Sequence, residues 1–205
     1  MKDLIKLPLK AGWKSPDMSY YEGILVTEGY RPNAAAIGAE IDGDKIASQI
    51  YLPSDTGRRL DEEVRFTFSL TTDPDLFYKA ALTGHNEPNM PELSFESLKY
   101  GDEDFLYPSK ASKIYFCEVK RTEKITEMDK YGEAKIKLIE GKILDERGPD
   151  EYIGRENPLV DAMVYASRMF VAGEEQQERI REKVKSILED DESDLKEKIL
   201  DFVER

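Results

Sequence analysis

The sequence has few residues that could form crosslinks or bind metal ions. Its 205 residues include one cysteine, Cys117, and one histidine, His85. A single cysteine excludes a disulfide within the chain, and its place in the apolar run SKIYFCEV predicts a buried, structural thiol. One histidine cannot make a zinc site, which needs about three or four ligands in one place. We therefore expect no metal centre, and we expect His85 to lie in a proline-rich loop.

Basic residues and long apolar runs are also scarce. Lys and Arg total 30 against 43 Asp and Glu, which gives a formal net charge of -13. This deficit disfavours a nucleic-acid partner, because affinity for a phosphate backbone comes mostly from basic groups. It equally disfavours docking on an anionic membrane surface. No stretch approaches the roughly 20 apolar residues of a membrane span, and the first residues lack the apolar region of a secretory signal. We expect a cytoplasmic protein.

Strand patterns dominate the chain up to about residue 150. After an extended arm over residues 1–18, the runs YYEGILVTEG, AAAIGAEI and KIASQIYL predict an antiparallel meander, whose Asp-Gly turn suits a hairpin. The run EVRFTFSL alternates apolar and polar residues, as a half-buried strand does. Residues 112–126 and 132–146 predict two long strands that pair as a hairpin. They are too apolar for a lone small barrel, so we expect a homodimer to bury Ile114, Phe116 and their neighbours, directly or through the barrel wall. Between them and EVRFTFSL, the stretch GHNEPNMPELSFESLKYGDED predicts a long loop.

Helical patterns appear once inside this region and then close the chain. TDPDLFYKAAL predicts an inserted helix, and Pro158 suits the start of another. EEQQERIREKVKSILEDD and ESDLKEKILDFVER each carry an apolar stripe, so we expect them to pack as a helical hairpin with Ser193 as a cap. Strands followed by helices predict an α+β fold, with an antiparallel barrel domain over residues 1–150 and a helical segment over residues 151–205 packed on it.

The segment QIYLPSDTGRRL carries the chemistry that the rest of the sequence lacks. It leaves a predicted strand with two hydroxyls, Ser54 and Thr56, and reaches two arginines, Arg58 and Arg59. If Gly57 opens a helix, its free N–H groups would face the same point as the hydroxyls, which suits a phosphate. The alternative is a capped helix whose two arginines are solvated. The residues alone leave both interpretations open.

Several segments together resemble a known family. PNAAAIG, GDKIASQIYLPSDTGRRL, TTDPDLFYKAAL and GRENPLVDAMVYASRM look like an archaeal and bacterial family of unknown function with the FMN-binding split-barrel fold of flavin-reductase-like proteins. The resemblance extends from about Tyr20 to Met169. It implies an antiparallel split β-barrel with an inserted helix and a C-terminal helical segment. It also implies a homodimer with FMN at the subunit interface.

The resemblance assigns candidate cofactor-binding residues. Asn33 to Gly38 correspond to a strand that passes beside the flavin, where small side chains let a ring or a partner chain approach. Gln49 to Thr56 correspond to the family's phosphate segment, with Arg58 and Arg59 one turn later. The candidate residues are Asn33, Ala34, Ala35, Ala36, Gln49, Ser54, Thr56, Arg58 and Arg59.

The phosphate segment departs from the family pattern at three positions. Gln49 stands where an arginine is expected, Pro53 replaces a glycine, and Asp55 replaces a second arginine. Each lost charge-assisted hydrogen bond removes about 1.5–3 kcal/mol, which Arg58 and Arg59 would have to restore. Two functions follow. One is an FMN-binding flavoprotein of unknown substrate that transfers electrons or a hydride; the other is a split barrel that has lost its flavin and serves as a binding or structural protein.

Overall fold

The computed structural model describes residues 19–28, 31–61, 64–82, 93–129, 132–170 and 172–205. The predicted N-terminal arm and His85 lie outside these residues. Within them, eight strands occur: β1 (Ser19–Thr27), β2 (Asn33–Asp42), β3 (Lys45–Tyr51), β4 (Arg65–Leu70), β5 (Phe95–Tyr100), β6 (Glu103–Pro108), β7 (Lys113–Asp129) and β8 (Gly132–Arg147). The helices are α1 (Asp55–Arg59), α2 (Pro74–Leu82), α3 (Pro158–Ala166), α4 (Glu174–Ile187) and α5 (Asp194–Glu204), with a 3₁₀ helix at Ser167–Phe170.

Six of the strands form a closed antiparallel barrel in the order β1-β2-β3-β8-β7-β4. The predicted meander is confirmed, since β2 pairs with both β1 and β3. The predicted strand β4 is present, with Phe66 and Phe68 in the barrel interior. The expectation that it is half-buried is corrected, because its polar face is buried too and the Thr67 hydroxyl donates to the Leu106 carbonyl of β6. Cys117 lies in the same interior, fully buried, and burial raises the pKa of its thiol. The predicted α+β fold with an antiparallel barrel is therefore confirmed.

The stretch predicted as a long loop instead contains a hairpin. Strands β5 and β6 pair with each other and with no other strand, and Gly101 makes the turn at a φ of 63°. The six side chains of β5 are exposed or only half-buried, so its sequence has no apolar alternation to reveal a strand.

The hairpin covers part of the barrel that we expected a second subunit to cover. Phe105 of β6 packs edge-on against Phe116 with 5.3 Å between ring centroids. Phe116 is fully buried and Ile114 nearly so within one chain. These two residues already pack with Phe105 of the hairpin within one chain, so direct burial by a partner is not needed, and a homodimer that buries them through the barrel wall stays a prediction.

The remaining helices form a layer on the outside of the barrel. Helices α2, α3, α4 and α5 share one apolar cluster with Ile24 and Val26 of β1. The predicted helical hairpin is confirmed: the stripes of α4 and α5 are buried in that cluster, and the Ser193 hydroxyl caps α5 by accepting from the Lys196 N–H. No helix in the described part of the chain is long and apolar enough to cross a membrane.

Candidate functional site

A cavity of about 430 Å³ lies between the barrel wall and the helical layer. Strands β2 and β3 form one side, the turn into α1 closes one end, and residues of α2, α3 and the 3₁₀ helix form the opposite side. This volume falls within the roughly 300–1,000 Å³ that small-molecule sites occupy. The cavity is therefore the candidate site in the described part of the chain.

The floor of the cavity is made of very small residues. Side chains alternate along a strand, so Ala34, Ala36 and Gly38 share the outer face of β2, while Ile37 and Ala39 point into the barrel. A Cβ at Gly38 would lie 1.9 Å from the Tyr20 hydroxyl oxygen, so glycine leaves room for that ring. The run of three alanines predicted as a close-approach surface therefore does line an open space.

Most of the predicted site residues meet in this cavity. Asn33 lies at the start of the floor, and its Nδ2 donates to the Thr56 Oγ1 at 2.8 Å, which ties β2 to α1. Gln49 extends from the neighbouring strand β3. The candidate residues that line the cavity are Asn33, Ala34, Ala35, Ala36, Gln49, Ser54 and Thr56.

The turn expected to bind a phosphate is a capped helix start. The Ser54 hydroxyl accepts from the Gly57 N–H at 3.0 Å and donates to the Tyr51 carbonyl at 2.6 Å. The Ser54 side chain thus acts as the N-cap of α1, a helix of five residues. The expectation that the Gly57 N–H is free is corrected, since the side chain of Ser54 occupies it.

The two arginines of this segment lie elsewhere. Arg58 donates to the Pro53 carbonyl and pairs with Asp55, and Arg59 donates to the Arg31 carbonyl at 2.7 Å. Neither arginine lines the cavity. The structure therefore does not bring Arg58 and Arg59 to the other candidate residues, because nearby oxygens hold their guanidinium groups.

Two arginines that the sequence reasoning did not select do line the cavity. Arg155 precedes α3 and Arg168 belongs to the 3₁₀ helix. The Nε of Arg155 donates to Asp161 at 2.7 Å, and both guanidinium groups lie near the ring of Tyr165, at 5.3 and 5.8 Å from its centroid. Both occur in GRENPLVDAMVYASRM, a segment that we had read only for its helix, although its two basic residues were a usable signal.

A buried carboxyl group faces these arginines. Glu22 of β1 lines the cavity and is 5% exposed, and it accepts a hydrogen bond of 2.9 Å from the Tyr20 hydroxyl. Burial raises the pKa of Glu22, while the Tyr20 hydrogen bond and the charges of Arg155 and Arg168 oppose that rise. The cavity thus has small residues along β2 and a cluster of ionisable groups at Glu22, Arg155 and Arg168, while Glu40 and Asp55 also line it.

Comparisons with known proteins bear on this site. The model of a family described as protein of unknown function (DUF447), N-terminal domain, matches residues 21–144, which is more than half of the chain. This range includes the cavity floor and the turn into α1, but not Arg155 or Arg168. The comparison with curated proteins found no match.

Solved structures share the fold. An FMN-bound protein from Methanosarcina mazei, also of the DUF447 family, aligns with a TM-score of 0.64 at 18% identity, covering 91% of this chain and 93% of that one. A flavoredoxin from Methanosarcina acetivorans aligns at 0.47 and 13%, covering 68% and 76%. The flavin reductase of a Pseudomonas putida S12 styrene monooxygenase aligns at 0.47 and 14%, covering 64% and 82%.

Proposed function

The chain belongs to the DUF447 family, and from that premise we propose that it is a flavoprotein that binds FMN in the cavity between β2, β3 and the helical layer. The observation that supports this most directly is the floor of Ala34, Ala36 and Gly38, which lines a cavity of about 430 Å³. An FMN-bound structure of the same family exists for the Methanosarcina mazei protein.

The residues present fit the group. A flat aromatic ring needs a surface without projecting side chains, which Ala34 and Ala36 provide on the outer face of β2, next to the Tyr20 ring that covers Gly38. Asn33 and Gln49 offer amide groups at one part of the cavity, and Arg155 and Arg168 offer positive charge at another. Bound FMN would supply one- or two-electron redox chemistry. The chain's own part is to hold the ring against β2 and to exclude water with α3 and the 3₁₀ helix.

We further propose that the protein is an oxidoreductase that works as a homodimer. The resemblance implies a cofactor at a subunit interface. Two aromatic residues that line the cavity, Tyr20 and Phe170, are 40% and 44% exposed in one chain, so a second copy could cover them. The small residues of the cavity floor, Ala34, Ala36 and Gly38, do not specify a substrate.

The test is a titration with FMN of the wild type and of two matched variants. Ala36→Leu would place a branched side chain on the cavity floor, whereas Ala134→Leu alters another half-buried strand alanine on β8 that does not line the cavity. We expect Ala36→Leu to weaken FMN binding at least tenfold and Ala134→Leu to leave it unchanged. Thermal melts of both variants control for loss of folding. Equal FMN affinities in all three proteins would show that the flavin ring does not bind on this floor.

A second function is favoured by one observation. In the family that this chain resembles, this turn carries cationic side chains. In this chain, the Ser54 hydroxyl of the turn caps a helix, and Asp55 occupies the turn and pairs with Arg58. A barrel that has lost its flavin and binds another molecule would have this arrangement. A colourless protein that shows no binding of either FMN or riboflavin would support this second function over the first.

A further inference from the structure

Glu22 of β1, the strand residue that pairs with Gly38 of the cavity floor, meets three ionisable groups of the helical side. Glu22 comes from β1, Arg155 from the loop before α3, Asp161 from α3 and Arg168 from the 3₁₀ helix. The charges of both guanidinium groups and of the Asp161 carboxylate act on the pKa of Glu22. Of the four, Glu22, Arg155 and Arg168 line the cavity itself.

The Arg155 side chain is held in place by an ion pair with Asp161. The Arg155 side chain is 17% exposed and is tied to Asp161 through Nε. Tyr165 lies under both guanidinium groups, an arrangement that stabilises cations through the face of the ring. Planar guanidinium groups match the geometry of carboxylate and phosphate oxygens. Two guanidinium groups on one wall of a ligand-sized cavity therefore form a site suited to an anion.

The end of the cavity at the turn into α1 is not suited to an anion. The Ser54 hydroxyl is occupied as the cap of α1, the Thr56 Oγ1 accepts from Asn33, and Asp55 adds a negative charge. Arg58 and Arg59 do not line the cavity. Positive charge on the described cavity lining thus comes from the helical side alone.

We propose that Arg155 and Arg168 bind the phosphate or carboxylate group of a ligand, and that Glu22 couples binding of this anion to the uptake of a proton. The inference rests on the proposed function, because the anion is either the phosphate of FMN or the acidic group of a substrate beside the flavin. Both sources share the same chemistry, and the experiment separates them.

The coupling follows from the repulsion between the bound anion and an ionised Glu22 carboxylate. An anion placed beside the arginines lies near the Glu22 carboxyl, and a like charge favours the protonated form of a carboxyl group. Burial already raises the pKa of Glu22. The anion therefore binds most tightly while Glu22 is protonated, and its affinity falls as pH rises through the Glu22 pKa. Tyr20, Arg155, Arg168 and Asp161 are the groups that act on Glu22.

The first experiment compares FMN, riboflavin and sulfate as ligands of the wild type and of Arg168→Gln. A lost charge-assisted hydrogen bond corresponds to about a 10- to 100-fold weaker affinity. If the anion is the phosphate of FMN, FMN weakens by this factor while riboflavin, which has no phosphate, does not change. If the anion belongs to a substrate, both flavins bind as before and sulfate binding to the flavin-loaded protein weakens.

The matched control is Arg179→Gln, which alters an exposed arginine of α4 that does not line the cavity and should change none of these affinities. Arg168→Lys keeps the charge and should retain part of the affinity lost in Arg168→Gln, whereas a purely structural role would give no such rescue. Unchanged binding of FMN, riboflavin and sulfate in Arg168→Gln would overturn the proposal. If no flavin binds the wild type, the proposed function fails, and the sulfate titration alone decides on the anion site.

The second experiment measures sulfate affinity from pH 5 to pH 8, a range over which sulfate keeps a constant charge. We expect the affinity of the wild type to fall as pH rises. Glu22→Gln should bind sulfate more tightly than the wild type at pH 8 and lose the pH dependence. Glu40→Gln removes another carboxyl of the cavity lining and should keep the pH dependence. A wild-type affinity that is independent of pH, or a pH dependence that survives in Glu22→Gln, would exclude the coupling.

Discussion

Replacing Leu188 by alanine would test whether the C-terminal helices and the cavity wall share one core. Leu188 is fully buried and belongs to the cluster that also contains Val160 and Met163 of α3. Met163 lines the cavity. The truncation therefore removes apolar contacts behind the wall that carries Arg168, without touching the cavity itself.

The magnitude follows from the burial. A Leu→Ala change in a closed core costs about 2–5 kcal/mol, including the cavity left behind. In a protein of this size, each kcal/mol shifts the Tm by about 2–4 °C, so we expect the Tm to fall by roughly 4–20 °C. Ser186→Ala is the matched control, because Ser186 is exposed on the same helix and such changes usually stay within about 0.5 kcal/mol.

The assay is chemical and thermal unfolding followed by circular dichroism, together with FMN titration of the folded variant. We expect a single transition at lower temperature for Leu188→Ala and weaker FMN binding at temperatures near that transition. A Tm equal to that of Ser186→Ala would show that α4 does not pack as described. Two separate transitions would show that the helical layer unfolds independently of the barrel.

Three further predictions concern single features of the chain. Cys117, fully buried with a raised pKa, should react with a thiol reagent only after unfolding; rapid reaction of the native protein would contradict its placement. The hydrogen bond from Lys137 holds the pKa of the Asp61 carboxyl below its usual range, so its contribution to stability is present above about pH 4 and is lost at lower pH. Asp61→Asn should accordingly be less stable than the wild type at pH 7, with a difference that shrinks below about pH 4, and a constant difference would refute this. Light scattering at micromolar concentration should give the mass of a dimer, and a monomer mass would contradict the proposed homodimer.

The barrel and the helical hairpin could be predicted because local pattern determines them. Phe66 and Phe68 alternate with polar residues, and only a strand places such alternating apolar residues together on one face. The stripe that contains Ile180 and Val184 likewise fits only a helix. The hairpin of residues 95–108 could not be predicted in this way, because β5 has no buried side chain and β6 buries only Phe105 and Pro108, so neither strand alternates buried and polar residues along its length.

The sequence by itself determined that small residues follow one another at Ala34 to Ala36 and that Ser54 can cap a helix, since both depend on residues close in the chain. Only the tertiary structure decided which cations reach the cavity. Arg58 and Arg59 follow the predicted turn but bond to oxygens of Pro53, Asp55 and Arg31 and do not line the cavity. Arg155 and Arg168, which do line it, come from the part of the chain after β8. The physical reason is that a charged side chain binds where packing brings its partners, and the packing of α3 against the barrel is a property of the whole chain.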